Sequence, residues 1–264
     1  MTARLAIVGG GKMGEALLTG LLGAQWARAE EIVVVEALEA RRKELAAIYV
    51  DVDIAGEPLE CEGAIIAVKP NDVEAACRAL AEAGCQRVLS IAAGVPLAKL
   101  ERWLGDGTPV VRAMPNTPAL VGAGAAAIAP GTWAGDADLS WAAEVLGAVG
   151  VVQRVTEPLL DAVTGLSGSG PAYVFLVAES LIEAGVLAGL SRDVAQTLVV
   201  QTLVGSARLL AETGQSAEQH RAAVTSPGGT TAAGLRVLEA KGMRSAFIEA
   251  VQAAAERSRE IGDA

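Results

Sequence analysis

The chain has 264 residues, of which 52% are apolar and 3% aromatic, so small side chains must fill the core of one large domain or two modest ones. Its formal net charge of -10 argues against a nucleic-acid partner, because nucleic-acid binding demands clustered lysine and arginine. The three cysteines form no C-x-x-C pair and the single histidine, His220, has no metal-ligand spacing to them, which predicts reduced thiols and no metal site.

The beginning of the chain, MTARLAIVGG, lacks the architecture of a signal peptide. A charge-free stretch runs from Ala113 to Gly135, but three prolines interrupt it, so it predicts loops and strand rather than a membrane-spanning helix. We therefore expect a cytoplasmic protein with no membrane partner.

Short apolar runs alternate with helical patterns in the first half. This alternation predicts an α/β Rossmann domain, with a mostly parallel, doubly wound sheet covered on both faces. The predicted strands are residues 4–8, 32–36, 49–52, 64–68, 87–91, 110–113 and, more weakly patterned, 125–129 and 151–154. The main predicted helices between them are residues 13–24, 40–47, 72–83 and 96–104.

The first strand runs into a G-x-G-x-x-G motif that opens a helix. In a dinucleotide-binding domain, the first glycine permits a tight turn, the second lets the backbone approach the pyrophosphate, and the third lets the helix pack against the strand. The helix N-terminus adds N–H donors for the phosphates. The predicted cofactor-binding residues of this loop are Gly9, Gly10, Gly11, Lys12, Met13 and Gly14.

An acidic residue, Glu36, ends the second predicted strand, 22 positions beyond Gly14. A carboxylate at this place typically accepts a hydrogen bond from the adenosine ribose, which favours NAD and disfavours a 2′-phosphate. Arg41 and Arg42 follow on the next helix and favour NADP, so the sequence leaves the choice between NADH and NADPH open. The alternative is a solvated acid at a strand end.

Three loops rich in glycine, proline and alanine follow later strands, at residues 67–70, 92–94 and 112–118. Ligands of open α/β sheets bind at the carboxyl ends of the strands, and small residues permit close approach of the backbone to a nicotinamide and its ribose. Tight-turn chemistry explains any one loop equally well, but three on one edge favour a cofactor site.

From residue 157 onward the sequence has no convincing strand pattern and predicts a succession of helices. We therefore predict two domains, residues 1–156 and residues 157–264. Helix starts are predicted at Pro158, Pro171, Ser191, Ser216 and Ser226, with breaks at Gly168, Gly189 and Gly214. The predicted helix over 194–210 carries no charge between Asp193 and Arg208 and is apolar on nearly all faces. We therefore expect a second copy of the chain to cover it, making a homo-oligomer.

The segment TSPGGTT, residues 225–231, precedes a helical pattern. Ser226 is predicted to cap that helix, with Pro227 in its first turn. Such a turn binds a carboxylate through backbone N–H groups and needs no lysine or arginine, although an ordinary helix cap is the alternative. The predicted N–H donors belong to Gly228, Gly229 and Thr230.

Six segments, in this order, resemble the pyrroline-5-carboxylate reductase family: IVGGGKMG, AVKP, SIAAGV, RAMPNTPALV, GLSGSGPAYVF, and SPGGTT followed by LRVLE. They span Ile7 to Glu239. RAMPNTP and SPGGTT together are specific to this family, whereas the G-x-G-x-x-G motif is shared by many dehydrogenases. The resemblance implies reduction of 1-pyrroline-5-carboxylate to L-proline with NADPH or NADH, the last step of proline biosynthesis. It also implies a Rossmann domain followed by an all-α domain that interlocks two subunits, often within larger rings.

The resemblance also implies roles for single residues. Ser226, Gly229 and Thr230 would hold the substrate carboxylate, and the hydroxyl of Thr231 would lie near the imine nitrogen. Many relatives carry small hydroxyl residues where this chain has Glu36, and they favour NADPH, so their cofactor preference does not transfer directly. The residues implied on the nicotinamide side are Ala67, Val68, Lys69, Pro70, Ile91, Ala92, Ala93 and Asn116.

The chemistry requires positioning more than a strong acid, because a protonated imine already accepts hydride, and positioning contributes about 7–11 kcal/mol. Thr231 is accordingly predicted as a hydrogen-bond partner or proton relay. One alternative is another reductase of the same two-domain plan, such as a 3-hydroxy-acid dehydrogenase, but residues 167–190 lack the helix-borne lysine that such chemistry uses. The other is a non-catalytic dinucleotide-sensing module, against which the intact SPGGTT turn argues.

Overall fold

The computed structural model describes residues 3–263, which form one sheet and a series of helices. The strands are β1 (Leu5–Val8), β2 (Ile32–Val35), β3 (Asp53–Ala55), β4 (Ala64–Ile66), β5 (Val88–Ser90), β6 (Val110–Met114), β7 (Gly124–Pro130) and β8 (Gly150–Arg154). The helices are α1 (Lys12–Gly23), α2 (Glu39–Ile48), α3 (Val73–Glu82), α4 (Leu97–Leu104), α5 (Asp136–Gly147), α6 (Leu160–Val163), α7 (Gly170–Leu187), α8 (Arg192–Glu212), α9 (Ala217–Ala223), α10 (Thr230–Ala240) and α11 (Met243–Asp263).

The sheet has the strand order β3-β2-β1-β4-β5-β6-β7-β8. The strand pairs are parallel except for β6 with β7, which is antiparallel. The order reverses between β1 and β4, and ligands of doubly wound sheets bind at such a crossover point. The predicted Rossmann architecture is confirmed.

The sheet buries both of its faces. Alternate strand residues, such as Ile7 and Ile65, join α1 and α5 in one cluster, whereas their neighbours, such as Val8 and Ile66, join α3 and α4 in another. Side chains alternate between the faces of a strand, so strands that are apolar at every position need helices on both sides. This explains the unbroken apolar runs of β1, β2 and β4.

Two secondary-structure predictions for the first half need correction. The strand predicted at residues 49–52 is wrong, because Tyr49 ends α2 with its N–H on the carbonyl of Leu45 and a turn follows. The third strand begins instead at Asp53, opposite Val33. Helix α5 was not predicted, and it covers the sheet with Trp141 and its neighbours.

Contacts divide the chain into two units, residues up to 169 with residues from 252 onward, and residues 170–251. The predicted break at Gly168 is confirmed, because a π-helical turn over residues 164–168 ends there, Ser169 is a bend and α7 begins at Gly170. The breaks at Gly189 and Gly214 are confirmed, since both have positive φ and end helices. Ser191 and Ser216 cap α8 and α9 as predicted.

Helices α7 and α8 lie against each other in the helical unit, where the Cβ position of Gly185 is 3.1 Å from the Cβ atom of Ala195. Most of the apolar side chains of α8 are exposed in the single chain, and Leu198 is 54% exposed. Two helical stretches, Glu157–Leu187 and Arg192–Glu212, are long and apolar enough by length and composition alone to cross a membrane. An exposed apolar surface of this kind also marks a subunit interface.

The cysteines are free and buried. Burial raises the pKa of the Cys77 thiol to about 12, with a smaller contribution from the charge of Glu74. The thiol therefore stays protonated at neutral pH and packs as a small apolar side chain.

A partly buried ion pair joins β6 to the helical turn that begins at Glu157. Arg112 in β6 donates from Nη1 to Oε1 of Glu157 at 2.9 Å, and the same oxygen accepts the N–H of Leu97 at 2.7 Å. The side chains of Arg112 and Glu157 are 11% and 31% exposed. Removing Arg112 would therefore leave a partly buried carboxylate without its charged partner.

We expect Arg112→Met to lower the free energy of unfolding by about 2 kcal/mol, measured by urea denaturation. Arg78→Met is the matched control, because Arg78 pairs with Glu74 on the surface of α3, and it should cost less than about 0.5 kcal/mol. Equal costs for the two variants would show that the Arg112 pair is not a significant source of stability.

Candidate active site

The glycine-rich loop lies at the crossover point of the sheet, between the carboxyl ends of β1 and β4. Gly9 has φ +110°, and a Cβ atom on it would lie 2.8 Å from the carbonyl carbon of Ala67, so a larger residue would strain both loops. A Cβ atom on Gly14 would collide with the carbonyl oxygen of Gly9, so α1 lies directly on the loop. Nothing lies within 4 Å of the Cβ position of Gly11, which leaves its backbone open to a ligand.

The carboxylate of Glu36 is fixed beside this loop. Its Oε2 accepts the N–H of Gly10 at 2.9 Å, and its Oε1 accepts the N–H of Leu38 at 2.9 Å. Each carboxylate oxygen still has a lone pair to offer to a hydroxyl group. The acid at the end of β2 is therefore held by the backbone, whereas contact with a ribose stays a prediction.

Two arginines on α2 are held by protein groups. Arg41 donates to the carbonyl of Gly10 at 2.9 Å and forms ion pairs with Glu15 at 2.5 Å and Glu44 at 3.0 Å. Arg42 donates to two carbonyl oxygens at the end of β2, at 2.8 and 2.7 Å. Because two carboxylates neutralise Arg41, this corner of the sheet offers a 2′-phosphate less positive charge than the sequence suggests.

A cavity of about 300 Å³ opens at the carboxyl ends of β4, β5 and β6. The structure brings together there most of the residues implied on the nicotinamide side, except Lys69 and Pro70, which are exposed outside its lining. Met114 and Gly168 also line it, and the glycine-rich segment around Gly168 was a sequence signal for that part. The cavity is lined by Met13, Ala67, Val68, Ile91, Ala92, Ala93, Met114, Pro115, Asn116, Thr117 and Gly168.

Asn116 braces one wall of this cavity. Its Nδ2 donates to the carbonyl oxygen of Ser167 at 3.1 Å, and its Oδ1 accepts the N–H of Ala125 at 2.8 Å. A Cβ atom on Gly168 would lie 2.7 Å from Cε of Met114, so the π-helical turn approaches the wall closely. Asn116 thus connects the loop after β6 to that turn, and one N–H of its amide remains for a ligand.

The SPGGTT turn belongs to the helical unit. The prediction that Ser226 caps the next helix is wrong, because α10 begins at Thr230 with Gly229 as its cap. Gly228 has φ +71°, which interrupts the helix that Pro227 was predicted to start. Ser226 instead closes the turn, and its carbonyl accepts the N–H of Gly229 at 3.1 Å.

The prediction that the N–H of Gly229 is free for a ligand is wrong, because that group donates to the carbonyl of Ser226 within the turn. In the described part of the chain, the N–H groups of Thr230, Thr231 and Ala232 have no hydrogen-bond partner, and the first internal bond of α10 is from Ala233 to Gly229. The Thr231 hydroxyl likewise has none, and the residue is half-buried. A helix N-terminus with free N–H groups attracts an anion through those donors and the helix dipole.

Comparisons with known proteins agree with this arrangement. The model of the pyrroline-5-carboxylate reductase dimerisation family matches residues 157–261, and that of the coenzyme F420-dependent NADP oxidoreductase family matches residues 4–94. A pyrroline-5-carboxylate reductase from a Synechocystis species is 47% identical over 99% of both chains. One from Mycobacterium tuberculosis is 46% identical over 98% of this chain and 97% of its own.

This chain belongs to the pyrroline-5-carboxylate reductase family.

Solved structures of the family have the same fold. The pyrroline-5-carboxylate reductase of Coxiella burnetii has a TM-score of 0.92 and 34% identity over 99% of both chains. That of Plasmodium falciparum, solved with NADP bound, has a TM-score of 0.86 and 30% identity over 98% of both chains. As a member of the pyrroline-5-carboxylate reductase family, the chain is an NAD(P)-dependent oxidoreductase that forms a homo-oligomer and acts on a small molecule.

Proposed function

We propose that this chain reduces 1-pyrroline-5-carboxylate to L-proline with NADH or NADPH, the last step of proline biosynthesis. The observation that carries the proposal is the set of free N–H groups at the start of α10, in a chain whose other unit has a cavity at the crossover point of a Rossmann sheet. These N–H groups would let an acidic protein bind a carboxylate without a basic side chain.

The residues present fit a nicotinamide dinucleotide. Gly9 and Gly14 give the tight loop, Gly11 leaves its backbone accessible, and Glu36 offers carboxylate oxygens for the ribose. When bound, the dinucleotide supplies the hydride. The small residues of the cavity would let the nicotinamide lie close to the backbone and would exclude water around it.

We assign the substrate carboxylate to the SPGGTT turn, through Ser226 and the free N–H of Thr230. Gly228 and Gly229 give the turn its shape, because the N–H of Gly229 already donates to the carbonyl of Ser226. The Thr231 hydroxyl would then serve the imine nitrogen as a hydrogen-bond partner. A threonine does not titrate near neutral pH, so Thr231 would either orient an iminium that is already protonated or relay a proton from water to the nitrogen of a neutral imine. Neither role requires a buried acid.

We further propose that the two parts of the chain have different roles. Residues 1–156 would bind the dinucleotide, and residues 157–264 would bind the substrate and form the dimer. The family model that begins at residue 157 supports this boundary, although contacts group residues through 169 with the sheet. The acidic charge and the reduced thiols support a cytoplasmic enzyme without nucleic-acid or membrane partners.

The deciding experiment is an assay with purified protein. We expect NADH or NADPH oxidation with 1-pyrroline-5-carboxylate and L-proline as the product. The same protein should not reduce NAD or NADP with 3-hydroxyisobutyrate, the reverse reaction of a 3-hydroxy-acid dehydrogenase. Turnover of the hydroxy acid alone would replace the proposal with the second reductase, and binding of dinucleotide without either turnover would indicate a sensing module.

The exposed face of α8 gives a prediction about assembly. We expect Leu198→Glu to convert the oligomer into monomers in sedimentation velocity at micromolar concentration, because a buried charge without a partner is costly at an apolar interface. Leu59→Glu is the matched control, because Leu59 is about equally exposed but lies in the sheet unit. A monomeric parent chain would contradict the prediction outright.

A further inference from the structure

The last turn of α11 lies against the loop that joins β5 to α4. Gly94 in that loop has φ +74°, and a Cβ atom there would lie 2.5 Å from Cγ2 of Ile261. The Cβ position of Gly262 is 3.5 Å from the carbonyl oxygen of Gly94 and 3.8 Å from Cγ of Pro96. Helix and loop therefore touch at a point where the loop has no side chain of its own.

Two hydrogen bonds hold the end of this helix in place. Lys99 on α4 donates from Nζ to the carbonyl oxygen of Gly262 at 3.2 Å. The hydroxyl of Ser258 donates to Oδ1 of Asp161 at 2.7 Å, and Ser258 is one of the few buried polar residues. The turn is thus tied to α4 on one side and to α6 on the other.

The loop under this turn is a wall of the cavity. Ile91, Ala92 and Ala93 line it and come directly before Gly94. The two ends of the loop are fixed, because Ile91 and Val95 are buried in the core and the N–H of Ile91 donates to the carbonyl of Ile66. The middle has only Ala93 and Gly94, and Gly94 adopts the left-handed backbone region that glycine reaches without cost. The position of this middle part of the wall therefore depends on the residue that packs on Gly94.

We infer that Ile261 is a positioning residue for hydride transfer, which packs on Gly94 and holds the middle of the 91–95 loop against the nicotinamide. The inference rests on the proposed function, because that function puts the nicotinamide in the cavity. Ile261 is 45% exposed, so its contribution to global stability is limited, and its contact falls on the loop rather than on the core. Its effect should appear in alignment more than in folding.

The test compares Ile261→Ala with Ile261→Val, which keeps a branched side chain, and with Ile48→Ala, an exposed isoleucine at the end of α2. We expect Ile261→Ala to lower kcat about fivefold, because small misplacements of reacting groups are costly, while the Kd for NADH changes less than twofold. The deuterium isotope effect on kcat, with NADH deuterated at C4, should rise. Ile261→Val should restore most of the loss, and Ile48→Ala should match the parent.

A loss of properly folded enzyme would lower kcat and leave the isotope effect unchanged, and that result overturns the inference. Backbone hydrogen exchange of residues 91–97 gives a readout that needs no turnover, so failure of the proposed function remains distinguishable. We expect faster exchange in Ile261→Ala than in Ile48→Ala, and equal exchange overturns the inference. Should Ile261→Ala fail to fold, Lys99→Met removes the bond to Gly262 alone and should change exchange and isotope effect in the same direction.

Discussion

Replacing Glu36 by alanine is expected to shift the selectivity of the enzyme from NADH towards NADPH by about tenfold or more. The measurement is the ratio of kcat/KM for the two cofactors, with the Kd of each as a check. The effect should come mainly from weaker NADH binding.

The geometry of the carboxylate explains this expectation. Two backbone N–H groups, from Gly10 and Leu38, hold Glu36 with its free lone pairs beside the glycine loop. A ribose diol can donate to such a carboxylate, whereas a 2′-phosphate is repelled by it. Arg41 compensates little for that repulsion because Glu15 and Glu44 already neutralise it.

Glu39→Ala is the matched control, because Glu39 is an exposed acid at the start of α2 whose ion pair is with Lys43. It should leave the selectivity within about twofold of the parent, since surface charges are screened by salt. An equal loss of NADH and NADPH binding in Glu36→Ala would remove Glu36 from the ribose site and leave it a purely structural brace of the loop.

The Thr231→Ala variant is expected to lower kcat by about tenfold or more, with dinucleotide Kd and thermal stability close to those of the parent. The hydroxyl has no partner in the described part of the chain, so the fold loses no hydrogen bond when it is removed. The cost should therefore fall on the reaction.

Two further substitutions distinguish chemistry from shape. Thr231→Ser keeps the hydroxyl and should retain most of the activity, whereas Thr231→Val keeps the volume and should behave like alanine. If valine were active and serine inactive, the methyl group would be the important part and the hydrogen-bonding role would be refuted. Unchanged kcat and kcat/KM in Thr231→Ala would refute it as well.

Much of the site was predictable because its chemistry depends on residues that adopt special backbone geometry. Gly9 occupies a position that only glycine tolerates, and its neighbour at the crossover point, Ala67, is close enough to enforce this. Both follow buried strands whose apolar runs were visible in the sequence. The helical character of the second half was equally visible, since no alternating pattern competes there.

What escaped prediction depends on contacts that are distant along the chain. Asn116 was predicted to line the cofactor site, but its bonds to Ser167 and Ala125 could not be read from spacing. The prediction that Ser226 caps α10 was wrong because Gly228 interrupts the helix. A glycine can adopt positive φ, but its presence in the sequence does not show that it does so. The contact of Ile261 with Gly94 joins residues that lie far apart in the chain.

The SPGGTT turn has a consequence for how the enzyme responds to its surroundings. Main-chain amides have no proton to lose in the physiological range, so recognition of the substrate carboxylate should show a flat dependence on acidity wherever that carboxylate is ionised. The amides still depend on the side chains for their arrangement, because Gly228 has positive φ and a Cβ atom on Gly229 would collide with Oγ of Ser226. Replacement by proline, which lacks the N–H, is the point mutation that removes a donor directly.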